Sequence, residues 1–101
     1  GQVLMENVVY DGEGQPISGS YRDYTMPRAH DIPEVEFGSH SVPAETNVLG
    51  AKGCGEAGAI AAYPAVSNAI IDALAPYNVT GFDGPATPER IWRLIHQSKG
   101  A

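Results

Sequence analysis

The chain has 101 residues, enough for at most one domain near the lower end of comfortable core size. Its 12 acidic residues against 6 basic ones leave a net charge of −6, which argues against nucleic acid or an anionic membrane surface as partner. Apolar residues make up 43% while Gly 12 and Pro 8 are high, so composition predicts a loop-rich globular piece. No apolar run approaches the roughly 18–20 residues that span a bilayer, and there is no signal-peptide layout. The single cysteine excludes an internal disulfide, cannot build a metal site alone, and fits a reducing cytoplasm.

Gln2 to Val9 reads as the end of a helix, with Val3, Leu4, Val8 and Val9 on its apolar side. Gly1 to Glu6 has no starter methionine and no cap before that helix, so the sequence predicts a C-terminal fragment of a larger polypeptide. Tyr10-Asp11-Gly12-Glu13-Gly14-Gln15-Pro16 is chain-reversal chemistry. Ile17 to Tyr24 reads as a short strand or an irregular segment, and Pro27 and Pro33 mark a loop. Glu34 to Val42 alternates polar and apolar residues, the pattern of a half-buried strand that Pro43 ends.

Next comes Gly50-Ala51-Lys52-Gly53-Cys54-Gly55-Glu56-Ala57-Gly58, a run whose glycines allow close approach to the main chain. The alanine-rich segment that follows predicts a short helix at 57–62 and a longer one at 64–74, because Pro64 suits a first turn and not an interior. On the second, Val66, Ala69, Ile70, Ala73 and Leu74 share a face, and Pro76 closes it. Tyr77 to Val79 reads as a short strand. Thr87-Pro88-Glu89-Arg90 is a helix start, with a hydroxyl at the N-cap and proline at N1; Ile91, Trp92, Leu94 and Ile95 form the stripe of a helix to about His96.

Four features of the glycine run bear on chemistry. Glu56 at a helix start suits the positive end of the helix dipole, and its carboxylate serves either as a simple cap or as a base held beside a bound group. Gly53 and Gly55 let a ligand approach the backbone. Lys52 suggests phosphate contact, although the Gly-Lys-Ser/Thr order of a P-loop is missing and a solvated side chain is the ordinary alternative. Cys54 reads as a small buried side chain. His30, His40 and His96 are scattered without metal-ligand spacing, so no metal ligand is assigned.

Taken together, Gly-x-Lys-Gly-x-Gly-Glu-Ala-Gly, Asp23-Tyr24-x-x-Pro27, Asn68-Ala69-Ile70-Ile71-Asp72-Ala73-Leu74 and Thr87-Pro88-Glu89-Arg90 resemble the molybdenum hydroxylase (xanthine oxidase-like) family. The likeness spans almost the whole chain and is strongest to the C-terminal part of the large, molybdopterin-binding subunit of aerobic carbon monoxide dehydrogenases. It implies that residues 1–101 are one C-terminal fragment of a larger molybdopterin-binding domain, an α/β (α+β) piece with three to four helices, a few short strands and many loops. By the resemblance, Glu56 matches the glutamate that lies beside molybdenum and acts as base, and Lys52, Gly53, Cys54 and Gly55 border the cofactor. It also implies a small substrate oxidised with oxygen from water, carbon monoxide first, with aldehydes or N-heterocycles as alternatives. The cofactor it implies for the larger protein is molybdenum–molybdopterin in its cytosine dinucleotide form, with FAD and iron–sulfur clusters on partner subunits or domains. The isolated 101 residues, lacking most cofactor contacts, are expected to be inactive alone, to act only as a fold unit or interaction fragment, and to self-associate.

Overall fold

The computed structural model describes residues 1–98. It contains two α-helices, α1 (Ala57–Leu74) and α2 (Pro88–Ser98), and two 3-10 turns, Ala29–Asp31 and Ala75–Tyr77. Among the described residues there is no strand, only an isolated antiparallel bridge between Tyr10 and Pro16. The expected strands are therefore corrected. Glu34 to Val42 finds no neighbouring strand, and Val35 (73% exposed) and Phe37 (92%) face outward. Alternation makes a strand only where a second strand accepts its N–H and C=O groups. Tyr77 ends a 3-10 turn, and Ser20 to Tyr24 is a turn in which the Asp23 and Tyr24 amides donate to the Ser20 carbonyl.

The reversal at 10–16 forms as its residues dictate. The Asp11 Oδ1 accepts from the Glu13 and Gln15 amides, each at 2.9 Å, and Ile17 N–H donates to the Val9 carbonyl. Gln2 to Val9 is no helix end: the Leu4, Met5 and Glu6 amides all converge on the Gly1 carbonyl, making a single turn. That turn buries Val3 and leaves Val8 and Val9 exposed.

Pro64 lies inside α1 and does not split it, so one helix of 18 residues replaces the expected two. The ring deprives the Ile60 carbonyl of its helical donor and crowds the preceding turn, a cost of about 3 kcal/mol inside a helix. Here residues 57–62 are all exposed, and water can take the donor's place. With the 3-10 turn, Ala57–Tyr77 runs 21 residues and passes the length and composition test for crossing a membrane, contrary to the sequence expectation. The less exposed residues of α1 are Tyr63, Val66, Ser67, Ile70, Ile71 and Leu74, spaced three and one apart along one face. Val66, Ile70 and Leu74 were expected on that face; Ala69 and Ala73 are exposed. Asn78, with φ 56, turns the chain out of the 3-10 segment. Thr87 Oγ1 accepts from the Arg90 amide at 3.4 Å, the expected N-cap of α2.

Among the described residues the buried apolar ones are Val3, Leu74, Val79, Pro85 and Ala86, drawn from the first turn, the end of α1 and the approach to α2. The chain as a whole extends over 58 × 38 × 26 Å with a radius of gyration of 18.3 Å. A compact domain of this length has a radius near 13 Å. Accessible surface is 8464 Å², against about 5,500 Å² for a compact monomer of the same mass. Roughly a third of the surface is thus of the kind other proteins bury.

Candidate active-site loop

A side chain of Asn47 shapes the entry to the glycine run. Its Oδ1 accepts from the Leu49 and Ala51 amides at 3.2 and 2.9 Å, while Nδ2 donates to the Ala51 carbonyl at 3.0 Å. Gly50 supplies the left-handed φ of 63 that this turn needs, and its carbonyl accepts from the Ala44 amide. Sequence reasoning gave Asn47 no role; an Asn three residues before a glycine, within a loop, is the signal for such an Asx turn.

Beyond the turn, Lys52 to Glu56 are exposed. Among the described residues their backbone N–H groups find no hydrogen-bond acceptor. Gly53, Gly55 and Gly58 have ordinary negative φ, and a Cβ built on any of them meets nothing within 4 Å. Neither backbone conformation nor internal packing therefore requires these glycines. A run of free amides on a glycine backbone suits the oxygens of an anionic group lying against it.

Glu56 occupies the N-cap of α1 with φ −107 and ψ 0, and its side chain makes no capping hydrogen bond. Its carbonyl accepts from the Ile60 amide at 3.0 Å, and Cys54 holds the entry by accepting from the Ala57 amide at 3.1 Å. The backbone thus fixes the residue while the carboxylate stays uncommitted and exposed at the positive end of the helix. The simple-cap alternative is not what the side chain does. Cys54 corrects the expectation of burial: it is free and exposed. Among the described residues no strand or helix lies over the loop, and Lys52 to Glu56 stay uncovered. Lys52 is exposed and makes no ion pair.

The histidines stay apart. His30 lies 3.3 Å from Asp31, His96 stacks on Trp92 with centroids 3.9 Å apart, and His40 is exposed. Among the described residues no group of His, Cys, Asp or Glu could hold a metal ion. The Asp23-Tyr24-x-x-Pro27 segment borders a polar recess that also involves Met5, Arg22 and Arg28, and none of its lining belongs to the glycine run. Tyr24 donates to Glu6 at 2.9 Å, and this bond, with partial burial and the nearby carboxylate charge, holds the phenol above its usual range.

Residues 1–33 match the family described as a molybdopterin cofactor-binding domain, and the chain belongs to the molybdenum hydroxylase family, resembling its carbon monoxide dehydrogenases. It is 42% identical to the 6-hydroxypseudooxynicotine dehydrogenase complex subunit gamma of Paenarthrobacter nicotinovorans, over 91% of this chain and 12% of that protein. Among solved structures, a Cu,Mo-CO dehydrogenase superposes with a TM-score of 0.86 at 29% identity, covering 96% of this chain and 12% of that one. Quinoline 2-oxidoreductase from Pseudomonas putida 86 superposes with a TM-score of 0.84 at 38% identity, covering 94% and 12%. The chain spans about an eighth of the length of these relatives.

Proposed function

We propose that this chain is the part of a molybdenum hydroxylase subunit that presents the active-site base, Glu56. The observation that carries the reading is the carboxylate itself: backbone-anchored at a helix N-cap, released from capping, and flanked by free amides on a glycine run. Lys52, Gly53, Cys54 and Gly55 would border a molybdopterin cofactor, in its cytosine dinucleotide form, with their amides donating to its oxygens. When bound, the cofactor supplies the two-electron oxidising centre.

The part of this chain in the reaction is proton transfer. Glu56 takes a proton from water as its oxygen goes to substrate, a contribution of about 100- to 10,000-fold for a well-placed base. A carboxylate works best here if partly desolvated. Glu56 is exposed in this chain, so its desolvation comes from the cofactor and from protein covering the loop. The surface in excess of a compact monomer supports that covering, as does the one-eighth share of its relatives' length. FAD and iron–sulfur partner subunits would receive the electrons; the relative named as one subunit of a complex supports such an assembly. Alone, the chain lacks this covering, and we expect it to be inactive and to self-associate in sedimentation.

For substrate, an aromatic N-heterocycle is the first reading. Identity is 42% and 38% to proteins named for a nicotine derivative and for quinoline, against 29% to the CO dehydrogenase structure. Carbon monoxide is the second reading, supported by the TM-score of 0.86. The test is Glu56→Gln in the assembled, molybdenum-loaded protein, with dye reduction measured on quinoline, nicotine, an aldehyde and carbon monoxide. Retained molybdenum with turnover lower by at least 100-fold is expected, and the substrate active in wild type names the class. Undiminished turnover would remove Glu56 from the chemistry.

A further inference from the structure

We propose that Arg90, acting through the loop at 83–85 and through Tyr63, is a positioning residue that sets the direction in which α1 projects Glu56. The proposal rests on the reading of Glu56 as base. Its starting point is where α1 is held. The covered stripe of that helix ends at Tyr63, and all residues from 57 to 62 are exposed. Within this chain Tyr63 is the last anchored residue before an overhang whose far end carries Glu56. Seven residues separate the two, about two turns or 10 Å along the axis, and an azimuth offset of about 20° puts them on one face.

What touches Tyr63 is the loop before α2. A Cβ built on Gly84 would land on the Tyr63 hydroxyl, and it would lie 3.5 Å from the ring carbon Cζ. Only glycine lets the loop seat this closely against the phenol. The same loop is gripped by one guanidinium nitrogen. Arg90 Nη1 donates to the carbonyls of Asp83 at 3.3 Å and Pro85 at 3.4 Å, and most closely to that of Gly84. Pro85 is buried in the small core, and Thr87 fixes Arg90 in the first turn of α2. Arg90, Gly84 and Tyr63 thus form one chain of contact from α2 to α1. A side-chain tip stands about 6 Å from a helix axis, so turning α1 by 20° moves it about 2 Å. Misplacement of about 1 Å can cost 100-fold in rate.

The test uses the assembled, molybdenum-loaded protein with quinoline, or with whichever substrate the wild type oxidises. Gly84→Ala is expected to lower kcat at least tenfold with KM and molybdenum content unchanged. Adding Tyr63→Phe should restore kcat to within about threefold, because removing the hydroxyl leaves Cζ at an ordinary contact distance from the new methyl. Arg90→Met should lower kcat in the same way. Amide hydrogen exchange gives a readout independent of turnover: in Gly84→Ala and Arg90→Met, amides 57–62 should exchange at least fivefold faster while 66–74 stay unchanged. Unchanged exchange at 57–62 in both variants overturns the proposal, whatever the turnover. So does a loss in Gly84→Ala that Tyr63→Phe does not relieve. Survival of activity in Glu56→Gln would instead refute the base reading and leave the exchange pattern to judge the clamp.

Discussion

The Ala86 amide donates to the Val3 carbonyl at 2.6 Å, and both residues are buried, at 7% and 6% exposure. This bond ties the first turn, within the stretch that matches the cofactor-binding family, to the approach to α2. With so small a core, the junction matters more than a single buried valine ordinarily would. Val3→Ala is expected to destabilise the chain by about 2 kcal/mol. The midpoint of denaturant unfolding measures it, and an unchanged midpoint would mean the junction is not where the halves are held.

The Tyr24–Glu6 hydrogen bond makes stability depend on pH at the alkaline end. The folded phenol titrates above its ordinary value, chiefly because it donates to the Glu6 carboxylate. Between the unfolded and folded values the native state binds more protons, so stability falls as pH rises through that window. The contribution is fully present below the unfolded value. Ultraviolet titration of wild type against Tyr24→Phe isolates this phenol, and Glu6→Gln should bring it back towards the ordinary range. A titration indifferent to Glu6→Gln would deny the bond its role.

Gly50 is the glycine of the run that the backbone itself demands. With φ 63, and with Pro43 Cβ 2.8 Å from where its own Cβ would stand, Gly50→Ala should cost at least about 1 kcal/mol. Gly53→Ala, with nothing within 4 Å, should leave the stability of the isolated chain within about 0.5 kcal/mol. In the loaded protein the order should reverse for cofactor content, with Gly53→Ala losing more molybdenum than Gly50→Ala. Parallel losses would mean that nothing lies against Gly53.

Cys54 offers a chemical probe of the same surface. It is free and exposed, so a disulfide reagent should modify it in the native chain within about tenfold of the rate in denaturant. In the assembled, molybdenum-loaded protein the rate should drop by at least a hundredfold. Equal rates in both would place the cofactor elsewhere.

Sequence alone determined the features that depend on neighbours along the chain. Thr87-Pro88 starts α2, Asp11 with Gly14 reverses the chain, and Gly50 opens the loop, because caps and turns are set by residues a few positions apart. The order of the family motifs likewise pointed to Glu56 before any geometry was known. Tertiary structure decided what depends on distant partners. Glu34 to Val42 alternates like a strand but forms none, since alternation specifies a face and not the strand that must pair with it. Pro64 stays inside α1, in a stretch of helix that is exposed and leaves the freed carbonyl open to water, which no local pattern reveals. The exposure of Cys54, the freedom of the Glu56 carboxylate and the grip of Arg90 on the loop against Tyr63 arise in the same way. Each is fixed by which surfaces meet across long separations and which remain open, and residue spacing does not encode that.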